Sequence, residues 1–399
     1  MGYRLFVFLH RWSGIIAAAL VIVCGLTGSA LVFRDGLDRW LNADILEVRP
    51  HGERLSADEL VSRVEQRYPE AVVSALFPQV EATRAWTLMV ARRGAAGVEG
   101  APREQFSPNI IHVDPYSGSI TGTRTRGDGG FDRRRLVPLL HGLHHDLLLG
   151  GPGHWAVAIV GAVWLLLSVV GVYLSVKQAG GFARAFRIRA DIGVKRLFLD
   201  VHRTFGMASV IVVAMVCVSG IYLGLRQDVT KAVSAFSPVT PLPERSLPAD
   251  PVSSPIGFSE AIRVAEAAAP GSRVQSVFAV RPKGVYRARV ASAGDINQRG
   301  DRFLYVSMRD ARIVAARNVK EGSAGDVFVG WQFPLHTGEA FGAAGRAAIF
   351  VVGLLPALFS VTGVYLWLAR RRPRRRISPT TQTSQRPSGS QRSVISRTS

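Results

Sequence analysis

The sequence predicts a membrane protein: an all-α bundle of four transmembrane helices that carries two α+β domains, built as two parallel repeats of helix, domain and helix. Two observations predict this class. Four blocks of more than twenty residues are nearly free of charge, and about 20 apolar residues are enough to span the hydrocarbon core of a bilayer. A shift of 192 residues also places many identical residues over one another.

The four apolar blocks predict helices because every backbone polar group inside lipid needs a partner within the chain. They cover residues 12–33, 155–176, 204–225 and 347–369. The first block is longer than the apolar core of a signal peptide, which has about 7–15 residues, so we expect an uncleaved anchor. The predicted segments, in chain order, are a first transmembrane helix at 1–34, a periplasmic α+β domain at 35–135, a second helix at 136–177, a cytoplasmic loop at 178–194, a third helix at 195–226, a second periplasmic domain at 227–335, a fourth helix at 336–370 and a disordered cytoplasmic tail at 371–399.

The positive charge of the chain, a net +20, is concentrated in two short stretches. Residues 177–203 hold 7 Lys and Arg against 2 Asp and Glu, and residues 370–399 hold 9 against none. The long loops are nearly balanced, with 15 against 15 in residues 34–135 and 14 against 11 in residues 227–345. Because Lys and Arg accumulate in cytoplasmic loops, we expect both termini in the cytoplasm and both long loops in the periplasm of a bacterial inner membrane. The distribution favours the lipid bilayer, and not nucleic acid, as the partner of the basic residues.

The internal repeat covers both predicted helix pairs with a single offset. At 192 residues, His10 falls on His202, Arg11 on Arg203 and His144 on His336. The glycines at 14, 28, 161 and 171 fall on glycines as well. Each unit crosses the membrane twice, so the two copies have the same orientation and are expected to be related by a pseudo-two-fold axis along the membrane normal.

Four of the nine histidines obey this repeat and lie at the ends of predicted membrane helices. An ionisable residue beside a membrane span indicates a functional site. His10 and His202 lie at the cytoplasmic ends, and His144 and His336 at the periplasmic ends. A hydrocarbon core about 30 Å thick excludes pairs between the two sides. We therefore expect two pairs, His10 with His202 and His144 with His336.

Two facing imidazoles between membrane helices favour haem over zinc. Zinc usually takes four protein ligands, or three and a water, whereas a haem iron needs only two axial ligands. The sequence therefore predicts two haem b groups, each held by one histidine pair. Arg11 and Arg203 follow two of the ligands, and either pair with haem propionates or anchor the chain on the cytoplasmic side. The absence of a Cys-x-x-Cys-His motif excludes covalently attached haem.

Three more histidines, His141, His145 and His154, cluster near the predicted periplasmic side. At the repeat offset they meet Phe333, Thr337 and Arg346. His141 lies one helical turn before His144 and is an alternative haem ligand. The sequence assigns no role to the other two.

Both long loops have an α+β pattern. In the first, a capping box at Ser56 to Glu59 opens a helix through Arg67, and a turn at Asp114–Gly118 joins two strands. In the second, residues 237–256 form a tether and a helix covers Ser259–Ala269. The predicted strands are Trp86–Ala91, Ile110–Val113, Arg273–Val280, Val285–Val290, Phe303–Ser307 and Ala311–Ala316.

Five motifs carry a family resemblance: Leu9-His10-Arg11-Trp12, Asp200-Val201-His202-Arg203, Leu143-His144-His145-Asp146-Leu147-Leu148-Leu149-Gly150, Pro334-Leu335-His336-Thr337-Gly338 and Thr362-Gly363-Val364-Tyr365-Leu366-Trp367. With these motifs, the chain resembles the PepSY-associated transmembrane family across about residues 1–372, a family that includes iron-regulated membrane proteins and ferric-siderophore reductases. The resemblance implies that both loops are PepSY-like modules. It also implies two haems that pass electrons across the inner membrane to a ferric siderophore in the periplasm. No G-x-G-x-x-G opens a helix after a strand, so a fused flavin domain is not expected. The electron donor would be quinol or a separate cytoplasmic reductase.

The leading functional hypothesis is a di-haem electron carrier that reduces a periplasmic ferric siderophore and releases Fe(II). We expect the siderophore to dock where Arg133, Arg134, Arg135 and Trp331 gather. The first alternative is a non-catalytic PepSY scaffold or sensor that binds a periplasmic partner and no cofactor. The second is a component of a transporter, although the spans lack the polar residues at mid-depth that such proteins use.

Overall fold

The computed structural model describes residues 2–94 and 106–371, so most of the predicted disordered tail at 371–399 lies outside the described residues. The α-helices are α1 (Gly2–Val32), α2 (Arg34–Leu41), α3 (Ala43–Leu46), α4 (Ala57–Arg67), α5 (Leu136–Asp146), α6 (Gly151–Ala179), α7 (Val194–Gly224), α8 (Arg226–Ser234), α9 (Phe258–Ala267), α10 (Ala324–Thr337) and α11 (Gly342–Arg371). The strands are β1 (Ala71–Phe77), β2 (Trp86–Arg92), β3 (Ile110–Val113), β4 (Ile120–Arg124), β5 (Arg273–Val280), β6 (Val285–Ala291), β7 (Arg302–Ser307) and β8 (Ile313–Asn318).

Four helices in the described part of the chain are long and apolar enough to cross a membrane. They are α1, α6, α7 and the segment Glu339–Ala369, which contains most of α11. The helices pack side by side, with α1 and α7 each in contact with both α6 and α11. Large apolar side chains such as Ile16 and Ile211 point outward and are 77% and 80% exposed. Lipid is the solvent that suits such a surface, because contiguous apolar patches are rare on soluble monomers.

The predicted second helix is divided in two, and a short helix that was not predicted precedes the fourth span. Residues 136–177, predicted as one helix, form α5 and α6, and the chain turns between them at Leu147 and Leu148, which have φ angles of 53° and 61°. In the other half, α10 ends at Thr337 and α11 begins at Gly342. Nearly all of α10 therefore lies in residues 227–335, which were predicted as the second periplasmic domain. His144 and His336 therefore lie on the short helices α5 and α10, which pack against α1 and α7 respectively.

The two predicted α+β domains share one antiparallel sheet of eight strands. The strand order is β4-β3-β2-β1-β5-β6-β7-β8, and the two halves join where Ala75 pairs with Phe278 and Leu76 with Val277. Strand β1 was not among the predicted strands, although it lies at the junction. The helices α4 and α9 belong to one hydrophobic core with the sheet, and they contact each other where Ser259 donates a hydrogen bond to Asp58.

Local predictions in the sheet domain are confirmed. Helix α4 begins with the predicted capping box, since Ser56 and Glu59 each accept a hydrogen bond from the other's backbone N–H. The predicted turn joins β3 to β4. Residues 237–256, predicted as a tether, are packed along the second half of the domain. Thr240 donates hydrogen bonds to Asp326, and the Ile256 N–H donates to the Met308 carbonyl at 2.8 Å.

Candidate functional site

The four repeated histidines form two pairs at opposite ends of the long helices. The rings of His144 and His336 lie at the end that carries the sheet, with centroids 5.9 Å apart and planes at 46°. His10 and His202 lie at the other end, with centroids 6.2 Å apart and planes at 83°. We call these the sheet-side pair and the far-side pair.

Backbone carbonyls and hydroxyls of a neighbouring helix orient the sheet-side pair. The Nδ1 atom of His144 lies 2.8 Å from the Cys24 carbonyl and 3.4 Å from the Thr27 hydroxyl. That hydroxyl donates its own proton to the Val23 carbonyl at 2.6 Å, so it can only accept from His144. The proton of His144 therefore lies on Nδ1, and the Nε2 lone pair is free to bind a metal.

His336 is held in the same manner by residues of α7. Its Nδ1 lies 3.2 Å from the Val216 carbonyl and 3.1 Å from the Ser219 hydroxyl. Ser219 donates its proton to the Met215 carbonyl at 2.7 Å. His336 therefore also carries its proton on Nδ1 and leaves Nε2 free.

In the far-side pair, only His202 has a hydroxyl acceptor. Its Nδ1 lies 2.8 Å from the Thr362 hydroxyl, which donates to the Leu358 carbonyl at 2.7 Å. The residue 192 positions before Thr362 is Val170, which has no hydroxyl. Nδ1 of His10 approaches the Leu167 carbonyl but has no hydrogen bond of good geometry among the described residues. The two histidines of this pair therefore differ in the hydrogen bonds that hold their rings.

A glycine on an adjacent helix faces each of the four rings. A Cβ atom at Gly28 would lie 2.7 Å from Cε1 of His144, and one at Gly220 would lie 3.1 Å from Cε1 of His336. The corresponding distances to Cε1 are 3.3 Å for Gly171 and His10, and 3.7 Å for Gly363 and His202. Glycine lets an imidazole lie directly against the backbone of the neighbouring helix, since any larger residue at the tighter positions would displace the ring.

A cleft between the long helices opens beside the far-side pair. Its lining includes both histidines of the pair, Arg11, Arg203 and the glycines at 14, 171, 206 and 363. Nε of Arg11 and Nη1 of Arg203 are buried and have no hydrogen-bond partner among the described residues. Such atoms are costly unless a ligand or water satisfies them.

Arg203 is also a structural residue. It forms an ion pair with Asp200 at 2.8 Å, and it donates hydrogen bonds to the carbonyls of Ala185 and Arg187 at 2.9 Å. Asp200 is fully buried and also pairs with Arg196 at 3.0 Å. Most of the Arg203 guanidinium therefore holds the loop that follows α6, and Nη1 is the atom left for another partner.

The remaining histidines have other surroundings. His141, the alternative ligand, is exposed and stacks on His145 with centroids 5.1 Å apart, whereas His144 is the residue that faces His336. His112 is buried on β3, where Nδ1 lies 3.1 Å from the Thr87 hydroxyl. Burial, together with the nearby Arg124, lowers the pKa of His112 to about 4.

The sequence matches the family described as the PepSY-associated TM region over residues 7–370. The chain belongs to the PepSY-associated transmembrane family. The resemblance predicted from the histidine motifs is thereby confirmed, and the protein is a membrane protein of the PepSY-associated class. No functionally curated protein matches the sequence.

The residues of this PepSY-associated protein fit haem. Two imidazoles that bind one metal ion from opposite sides, with metal–nitrogen bonds of about 2.0–2.1 Å, have ring centroids about 6 Å apart. The observed separations are 5.9 and 6.2 Å. Three of the four rings have their proton fixed on Nδ1, as metal-binding histidines generally do. The unsatisfied guanidinium atoms beside the far-side pair suit an anionic substituent.

Proposed function

We propose that this protein is a di-haem electron carrier of the membrane, in which His10 and His202 hold one haem b and His144 and His336 hold the other. The observation that carries the proposal is the geometry of the two pairs, whose rings are spaced for one metal ion each. When bound, the haems would supply one-electron transfer between the two faces of the membrane. The protein contributes the axial ligands, their orientation and an apolar surrounding.

The proposed roles of the side chains follow from their contacts. Cys24, Thr27, Val216 and Ser219 hold the sheet-side rings, and Thr362 holds His202. Arg11 and Arg203 would bind the propionates of the far-side haem through Nε and Nη1, which have no hydrogen-bond partner among the described residues. His141 is not a ligand in this proposal, because its ring is stacked on His145.

The proposed topology places the sheet in the periplasm and both termini in the cytoplasm of an inner membrane. It rests on the excess of Lys and Arg in residues 177–203 and 370–399. In this arrangement the two copies of the helix–domain–helix unit are related by a pseudo-two-fold axis along the membrane normal. Reporter fusions at Gly127 and Pro248 should both indicate the periplasm, and a cytoplasmic signal from either would reject the topology.

The proposed acceptor is a ferric siderophore, which would release Fe(II) after one-electron reduction. The proposed donor is quinol or a cytoplasmic reductase. The siderophore would dock at the junction of sheet and helices, but the arginines there are already partnered. Arg133 and Arg134 both pair with Asp44, and Arg135 pairs with Asp132 at 2.5 Å. Docking therefore depends on shape and hydrogen bonding more than on free positive charge.

The test is the haem content of the purified protein, read from its visible spectrum. We expect two haems per chain, and His202→Ala should remove about half of them while the other site keeps its spectrum. His141→Ala is the matched control and should retain both. Haem-free protein that is folded would reject the proposal in favour of a scaffold or sensor. Full haem retention in folded His202→Ala would reject the ligand assignment.

The reductase activity needs a separate measurement. Dithionite-reduced protein in detergent should be reoxidised by a ferric siderophore at a rate that Arg134→Glu lowers without a change in the haem spectrum. If no ferric chelate reoxidises the reduced protein, the haem assignment stands and the acceptor is a different molecule.

A further inference from the structure

A second cluster of metal-binding side chains lies where α5 turns into α6. The Asp146 carboxylate and ring nitrogens of His145 and His154 all lie within 4.8 Å of one another. The rings of His145 and His154 have centroids 4.5 Å apart. We call these three residues the corner cluster; none of them is a proposed haem ligand.

Local hydrogen bonds leave ligand atoms of the cluster free. The Leu148 N–H donates to Oδ1 of Asp146 at 3.0 Å, which orients the carboxylate and leaves Oδ2 available. Nδ1 of His154 lies 3.4 Å from the His145 carbonyl, so its Nε2 is the atom that can bind a metal. A hydrogen bond from the second ring nitrogen to a carbonyl is the usual support of a metal-binding histidine.

The other half of the chain shows that the fold does not require these residues. At the 192-residue offset, the corner between α10 and α11 has Thr337, Gly338 and Arg346 in place of the cluster. Both corners join a short helix to a long one, and both depend on a glycine for the close approach of the two helices. A Cβ at Gly153 would lie 3.0 Å from Cα of Asp146, and one at Gly345 would lie 3.2 Å from the carbonyl carbon of Gly338. One corner thus folds with no metal-binding side chain at these three positions, while the other corner has one at each.

We propose that the corner cluster is a binding site for a divalent transition-metal ion. Ligand atoms at about 2.0–2.2 Å from one ion lie about 3–4 Å apart, so small side-chain movements close the site. Two imidazoles, one carboxylate and open positions form a donor set that suits Fe(II) and also binds Zn(II). The cluster adjoins His144, and its occupant, on the basis of the proposed function, is the Fe(II) released on the sheet side.

The test uses zinc as the probe, because zinc is distinguished from haem iron by elemental analysis. Purified protein, haem-loaded where it binds haem, is dialysed against limiting Zn²⁺, and zinc per chain is measured. The variant His145→Thr/His154→Arg carries the residues of the other corner and should therefore fold. We expect wild type to retain one tightly bound zinc and the variant to bind it at least about tenfold more weakly, with haem content unchanged. His51→Ala, which removes an exposed histidine of the sheet domain, should bind zinc as wild type does.

Equal zinc retention in wild type and the double variant would overturn the site. An anaerobic repeat with Fe²⁺, counting iron above the haem iron, tests the occupant. If wild type binds Fe²⁺ and the double variant does not, the result supports Fe(II) as the occupant. If wild type binds zinc but not Fe²⁺, the result rejects Fe(II) as the occupant. Because zinc retention does not depend on haem or on reductase activity, failure of the proposed function would leave this measurement intact.

Discussion

Alanine substitutions at the four ring-facing glycines should disturb the two histidine pairs in a graded order. A Cβ at Gly28 would lie 2.7 Å from the His144 ring, closer than carbon atoms approach without a shift, and the Cys24 carbonyl of the same helix holds the ring in that position. A Cβ at Gly363 would lie 3.7 Å from the His202 ring, which is ordinary contact. Gly220 and Gly171 fall between, at 3.1 and 3.3 Å.

The magnitudes follow from overpacking and helix propensity. Forcing a methyl group into a filled space costs about 1–3 kcal/mol, while replacing glycine by alanine within a helix gains about 0.5–1 kcal/mol. For Gly28→Ala we expect the free energy of haem binding to become less favourable by about 1–2 kcal/mol, which is equivalent to about 5–30-fold in affinity. Gly363→Ala should leave the His202 ring in place, because its Cβ would make only an ordinary contact with that ring, and it should raise the stability of α11 slightly.

The assay is a haem titration of each variant, with thermal unfolding by circular dichroism to confirm that the protein is folded. Gly28→Ala should weaken the sheet-side haem most, followed by Gly220→Ala at the same site. Gly36→Ala, a change on the exposed face of α2 with nothing within 4 Å, is the matched control. Unchanged haem affinity in Gly28→Ala, or an equal loss in Gly36→Ala, would refute the reasoning.

Three further predictions test separate parts of the structure. Thr362→Val removes the hydroxyl acceptor of His202 and should weaken haem binding at the far-side pair by about 10-fold or more. Val170→Thr should strengthen haem binding at the same pair, because it gives His10 a hydroxyl acceptor. Haem titrations in a His144→Ala background would measure both affinities, and affinities equal to that of the background protein would contradict the prediction. Asp200→Ala leaves Arg203 buried without its carboxylate and should destabilise the protein by about 3–5 kcal/mol, measured by thermal unfolding against the exposed control Asp191→Ala. The pKa of His112 is lowered to about 4 by burial, so the unfolded chain binds the proton first as the pH falls. The free energy of unfolding of the sheet domain should therefore be at its full value above about pH 6.5 and decrease by about 3 kcal/mol toward pH 4. His112→Gln should lose this acid sensitivity. An identical dependence of stability on pH in wild type and variant would contradict the assignment.

The features that the sequence predicted well are determined locally. The four spans follow from uninterrupted apolar composition, and α4 follows from a capping box whose members are three residues apart. Strand β1 was missed because it is buried on both faces. A short apolar run without alternation does not distinguish a strand from a helix, and only the distant pairing with β5 makes the assignment.

The turn between α5 and α6 could not be predicted from residue types. Leu147 and Leu148 adopt positive φ angles, a conformation that leucine rarely takes, and their apolar side chains extend the pattern of the following span. The repeat identified the histidine pairs, but it gave no sign of the atoms that orient them. Thr27 lies 117 residues from His144 in sequence, so its role depends on how α1 and α5 pack.

One helix carries or contacts residues of both histidine pairs. Helix α1 carries His10 of the far-side pair, and it also carries Cys24 and Gly28, which hold the His144 ring of the sheet-side pair. These two levels are separated by 14 to 18 residues, or about 21–27 Å at 1.5 Å per residue. That distance is slightly less than the hydrocarbon thickness of about 30 Å, so the proposed topology would place one pair near each face of the membrane. Helix α7 repeats the arrangement with His202 and Ser219. The spacing between the pairs is therefore set by two continuous helices, while the sheet-side rings themselves are carried by the short helices α5 and α10.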